Sequence, residues 1–154
     1  QVWYEIEKNL FAVLGMVTAR GEARTVGIVY IAQDGKLYIG TDRTAWKARH
    51  IAQNGNVSLT IPIAKRVPFL PWIKIPQATI TFAGEAQVLD VEAVSTALLR
   101  SLLRGMAKDN ERLASTAIIE VTPVGNFITY GIGVRLLQMR DPQQARGHAP
   151  TRIT

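Results

Sequence analysis

Cysteine is absent from the sequence. That excludes a disulfide framework, a thiolate nucleophile and cysteine-based metal binding. Histidine is scarce. Neither His50 nor His148 has a second ligand at metal spacing, or a base-and-orienter partner beside it, so both read as surface or packing residues and no metal is expected. The serines (Ser58, Ser95, Ser101 and Ser115) lack a nucleophile-elbow context, and there is neither a phosphate-loop pattern nor a dinucleotide GxGxxG. The carboxylates fall at a turn (Asp34), a cap (Asp90) and a helix end (Asp109 and Glu111). No catalytic residue stands out. If the protein is an enzyme, a bound cofactor carries the hard chemistry.

Long apolar runs are missing too. No stretch approaches the roughly 18–20 residues of a membrane-crossing helix, and the first residues, QVWYEIEKNL, lack the basic-then-apolar layout of a secretory signal. The expectation is a soluble, cytoplasmic protein with no membrane partner. A net charge of +6 attracts anions, but Lys and Arg are scattered rather than gathered into the block that marks a nucleic-acid arm. Nucleic acid is therefore the weakest of the partner classes.

What is present suffices for one core: 154 residues, 47% of them hydrophobic, is the size of a single domain. A short helix with Val2, Ile6 and Leu10 on one side precedes strand-like runs at 11–18, 25–32 and 36–41, and Asp34-Gly35 between the last two is a hairpin signal. Thr44 reads as the N-cap of a short helix reaching about Gln53, stopped by Asn54-Gly55. NVSLTIPI (56–63) alternates as a half-buried strand. The segment AKRVPFLPWIKIPQ (64–77) has three prolines yet carries Val67, Phe69, Leu70, Trp72 and Ile73, a pattern that calls for a cover. It is either a lid over a substrate or, preferred here, a partner interface. ATITFAGEAQVL (78–89) is a long strand. Asp90 then caps a helix with the stripe Val91, Val94, Leu98, Leu102 and Met106, and STAIIEVTP and GNFITYGIG supply two further strands. Because the early strands are joined by hairpins, the layout predicts a mainly β fold: a six- to seven-stranded antiparallel barrel with peripheral helices over 1–134. Residues 135–154 have little periodicity and read as an extended arm, ordered only when something binds it.

The stretch TDRTAWKARH (41–50) gathers Arg43, Lys47 and Arg49 where a strand ends and a helix begins. Free backbone N–H groups and the Lys47 ammonium converge there, Arg43 adds a fork-shaped partner for phosphate oxygens, and the Thr41 and Thr44 hydroxyls add hydrogen bonds. On spacing alone, an anion site and an ordinary solvated helix start have equal weight.

The region GEARTVGIVYIAQDGKLYIGTDRTAWKARHIAQNGNVSLTI (21–61) resembles the pyridoxamine 5′-phosphate oxidase-related, FMN-binding split-barrel superfamily. Its pattern, close to T-x-R-x-S-x-K-x-x-x-(I/L)-x-x-N-P-x-V, is met by Thr41, Arg43, Lys47, Ile51, Asn54 and Val57, and TITFAGEAQVL resembles the family's next strand. The resemblance implies a split barrel forming a homodimer, with FMN between protomers. Lys47 would bind the flavin phosphate and Thr41 the phosphate or ribityl region. Arg24, Thr25, Val26 and Gly27 would run beside the isoalloxazine, and Gln77 or Thr79 would supply the contact across the interface. The chain departs from the pattern at Ala45 (usually Ser), Trp46 (often Arg) and Gly55 (usually Pro). Its tail has Arg135, Arg140 and Arg146 but no Trp, unlike the substrate segment of the pyridoxamine oxidases proper. The resemblance thus implies an FMN-dependent oxidoreductase acting on a different small molecule. Relatives that use a deazaflavin coenzyme or bind haem provide the alternatives, among them a flavin or haem carrier without turnover.

Overall fold

A computed structural model describes residues 1–66, 68–70, 72–104 and 110–152. The elements in chain order are α1 (Val2–Lys8), β1 (Phe11–Val17), β2 (Ala23–Val29), β3 (Ile31–Gln33), β4 (Lys36–Asp42), α2 (Trp46–Gln53), β5 (Asn56–Ile63), β6 (Ala78–Asp90), α3 (Thr96–Leu102), α4 (Asn110–Ser115), β7 (Thr116–Tyr130), α5 (Pro142–Ala145) and β8 (Arg146–Pro150). Short 3-10 turns at Val91–Ala93 and Leu136–Arg140 complete the order.

Every strand pairing is antiparallel, and the sheet runs β2-β1-β5-β6-β7-β4-β3, with β8 added to β7. Its two ends, β2 and β3, are joined in sequence through the single residue Tyr30. One bent strand therefore closes the sheet on itself, and the barrel is split along that seam. Tyr30 is fully buried at the bend; its N–H donates to Leu10 O at 3.0 Å and its hydroxyl to Ile6 O of α1 at 2.7 Å. The Asp34-Gly35 turn between β3 and β4 has φ values of 52° and 74°, the left-handed pair required by the tight hairpin turn whose twist matches its strands.

Alternation fixes which face is inside. Leu14, Leu59, Ile61, Ile80, Leu37 and Ile39 are buried, each contributing about 1.5–3 kcal/mol by leaving water. Phe127 packs edge-on against Phe82 and Trp3, with ring centres 5.2 and 5.4 Å apart. On the outer side of β7, the buried Glu120 carboxylate accepts from Lys36 Nζ at 3.0 Å and Gln87 Nε2 at 2.8 Å. Burial alone would raise its pKa, but these bonds outweigh burial and hold it below the ordinary carboxylate value.

Three expectations need correction. The runs STAIIEVTP and GNFITYGIG form one strand, β7, because Pro123 and Gly125 mark an irregularity inside it rather than a turn: the register against β6 shifts between Thr81 and Ala83. The helix foreseen after Asp90 is broken. Asp90 makes no capping bond, and Ser95 instead accepts from Leu98 N at 3.2 Å to open α3; Met106, Asp109 and Val67 lie outside the described residues. The tail, read as an arm awaiting a partner, folds back. Met139 and Ala145 are buried, β8 pairs with β7 from Asn126 to Tyr130, and Trp3 Nε1 donates to Thr151 O at 3.1 Å.

Candidate cofactor site

Beside the seam, α3 and α4 lie over β4 and the β2–β3 bend and leave a cleft of about 570 Å3. Val29, Tyr30 and Ile31 line it on the sheet side, Leu102, Leu103 and Leu113 on the helical side, with Arg104 and Arg112 at the helices and Gly40, Thr41 and Asp42 at the end of β4. The Thr41 hydroxyl is buried and has no hydrogen-bond partner among the described residues. A buried hydroxyl left so costs about 1–3 kcal/mol, and a ligand in the cleft would relieve that cost. Tyr30 is a different case: burial pushes its phenol pKa up and its proton is committed to Ile6 O, so it shapes the wall rather than exchanging protons.

Beyond Thr41 the chain turns sharply. The Asp42 carboxylate accepts from Thr44 N at 2.7 Å and from the Thr44 hydroxyl at 2.6 Å, bonds that hold its pKa below the ordinary value. The expected N-cap role of Thr44 is thus corrected. Helix α2 begins at Trp46 after Ala45, with no side-chain cap, because the Thr44 hydroxyl is spent on Asp42. Arg43 is spent as well, with Nη1 2.6 Å from Asp90 Oδ1 and its backbone N–H donating to Ser115 O at 2.7 Å. Lys47, half-buried in the first turn of α2, has no ion pair or hydrogen bond among the described residues. Trp46 lies edge-on to His50, ring centres 5.8 Å apart, which gives that histidine a packing contact.

Of the residues foreseen for a cofactor, only Thr41 lines the cleft. Arg24, Thr25, Val26 and Gly27 lie on β2 opposite Met16 to Val13 of β1, with Arg24 also paired to Glu22 at 2.8 Å. Gln77 is exposed just before β6, and Thr79 sits opposite Pro62 and Tyr130 on the barrel's outer surface. Within one protomer these residues are not gathered around Thr41. Sequence reasoning missed Asp42, although an Asp two residues before a Thr at a strand end is a turn-forming pattern, and it missed the helical wall, which no short motif announces. Among the described residues, no group of three or more His, Cys, Asp or Glu could hold a metal ion.

A barrel closed through one bent strand, with an apolar cleft beside its seam, defines a split-barrel protein. The family described as pyridoxamine 5′-phosphate oxidase is matched by residues 2–127, and the chain belongs to that family. Several solved structures share the fold. A heme binding protein from Mycobacterium smegmatis is 15% identical with a TM-score of 0.66, covering 96% of this chain and 55% of its own. An F420 reductase is 17% identical with a TM-score of 0.57, covering 80% and 93%. A FAD-binding protein from Mesorhizobium loti is 13% identical with a TM-score of 0.60, covering 80% and 86%. At these identities the likeness is one of fold. No curated protein matches the sequence.

Proposed function

We propose that this protein binds an FMN-type flavin beside Thr41 and Lys47 and works as an oxidoreductase on a small organic molecule. The observation that carries this reading is the buried Thr41 hydroxyl, unpartnered among the described residues, in the lining of an apolar cleft and a few residues before a helix start that no side chain caps. Such a start favours an anion, and the Lys47 ammonium, without an ion pair among the described residues, would add a charge-assisted bond to a phosphate oxygen. A bound flavin supplies the hydride transfer. The chain's own part is to fix the phosphate with Lys47, to satisfy Thr41 through a ligand oxygen, and to keep water from the reacting face with the leucines of the cleft.

The site is proposed to be completed by a second copy. On the outer face, the cross-strand rows Thr25-Gly15-Ser58-Ala83 and Gly27-Val13-Thr60-Thr81-Ile128-His148 contain no Asp, Glu, Lys or Arg. A partly exposed, charge-free sheet face of this extent suits a homodimer contact. Docking there would bring the β2 residues Arg24 to Gly27 and the β6 start at Thr79 toward the partner.

A haem reading has one specific support: the heme binding protein matches 96% of this chain, tail included, and His148 stands exposed on β8. A deazaflavin reading rests on the F420 reductase alone. The absorbance of the purified protein, before and after adding FMN, a deazaflavin coenzyme or haem, separates the three. A flavin spectrum, or saturable FMN uptake, is expected. A Soret band or exclusive deazaflavin uptake would replace FMN, and uptake of none would end the reading.

A further inference from the structure

The segment between β5 and β6 has no role in the site just described, yet it holds the most exposed large apolar side chain of the described residues. Phe69 is 97% exposed and Trp72 is 72% exposed, and Leu70 stands out beside them. Leaving two aromatic rings in water forgoes several kcal/mol of burial, so these side chains are displayed for contact. Lys65, Arg66 and Lys74 flank them in sequence, without an ion pair among the described residues. The sequence has no Asp or Glu anywhere from Arg43 to Gly84.

Charge decides what kind of surface fits. Placed on the two-fold axis of a symmetric contact, this segment would meet itself, and its cations would meet cations. The outer-face rows through Ser58 and Thr60 hold no Asp or Glu and offer them no carboxylate. An anionic lipid headgroup layer offers both requirements at once. Its acyl boundary takes Phe69, Leu70 and the Trp72 indole, a side chain that favours the membrane interface, while the headgroups pair with the cations. Pro68 and Pro76 restrict the backbone, so less freedom is lost on docking. We infer that the 64–77 segment is a peripheral docking surface for anionic membrane, through which the protein reversibly meets a lipid bilayer. No helix of the described residues is long and apolar enough to cross one, so the contact lies on the membrane rather than through it. Surface association of this kind differs from the expectation of no membrane partner.

The test uses the full chain and vesicles of phosphatidylcholine alone or of equimolar phosphatidylcholine and phosphatidylglycerol, with the sedimenting fraction measured at low and high salt. Co-sedimentation is expected only with the anionic vesicles, weakening as salt screens the cations. Two variants, Phe69→Ser with Trp72→Ser, and Arg66→Glu with Lys74→Glu, should each lose it by roughly tenfold or more while keeping the wild-type thermal midpoint. A wild-type protein that ignores anionic vesicles at low salt overturns the proposal, as do variants that bind like wild type. Loss of dimerisation in the serine variant, together with no vesicle binding by the wild type, would mark the segment as a contact between copies instead.

Discussion

At Thr41, stability and binding pull in opposite directions. Its hydroxyl is buried without a partner, so Thr41→Val should raise the stability of the cofactor-free protein by about 1 kcal/mol. The same change removes a hydrogen bond to a ligand and should weaken flavin binding by about 1 kcal/mol or more. Thermal melts and flavin titration of the one variant check both, and a variant that is destabilised yet binds normally would show that the hydroxyl is structural. Glu120 gives a pH dependence. Its folded pKa lies below the unfolded value because Gln87 and Lys36 hold the carboxylate against the effect of burial. The stability it contributes is complete above the unfolded carboxylate range and is lost as pH falls through the lower, folded value. Glu120→Gln should therefore be less stable at neutral pH by about 1–2 kcal/mol, with a flatter loss between neutral and acid conditions in melts taken across that range.

At the level of elements, the start of α2 carries the anion argument. Lys47→Ala should weaken flavin binding by about 1–3 kcal/mol with little effect on folding, since Lys47 has no ion pair among the described residues to lose; unchanged affinity by titration would place the phosphate elsewhere. The tail makes a separate prediction. Met139 is fully buried, so Met139→Ala should cost about 2–4 kcal/mol in denaturant unfolding, whereas a free arm would cost almost nothing. These elements also show where the sequence was readable. Local signals survived folding: Asp34-Gly35 turned as its residue types require, and NVSLTIPI became β5 residue for residue. Signals that depend on distant partners did not. Pro123 and Gly125 look like a turn until β6 and β8 hold both halves of β7 in one sheet. The tail looks unstructured until Tyr130 and Trp3 receive it. In the candidate site, the spacing after a strand drew attention to Thr41 and Lys47, of which Thr41 lines the cleft. That Asp42 and Asp90 would take up Thr44 and Arg43 depends on side-chain geometry and, for Asp90, on a residue far along the chain.

The whole molecule carries three surfaces: a cleft at the seam, two uncharged rows on the outer face and an apolar, cationic loop. Closure through Tyr30 brings the seam to the cleft that Thr41 also lines, and the Thr41 hydroxyl is the buried side-chain group without a hydrogen-bond partner among the described residues. If the outer face is the dimer contact, the species measured by sedimentation equilibrium should be a dimer, and Thr60→Arg, which places a charge in the middle row, should shift it toward monomer and lower flavin affinity with it. The central claim, that the end of β4 and the start of α2 form a site for a flavin phosphate, meets its most direct test in a comparison of FMN with riboflavin by flavin fluorescence quenching. FMN should bind at least about tenfold more tightly, the equivalent of roughly 1.4 kcal/mol from the phosphate, and Lys47→Ala should close most of that gap. Equal affinity for the two flavins, or a gap that Lys47→Ala leaves untouched, would contradict it.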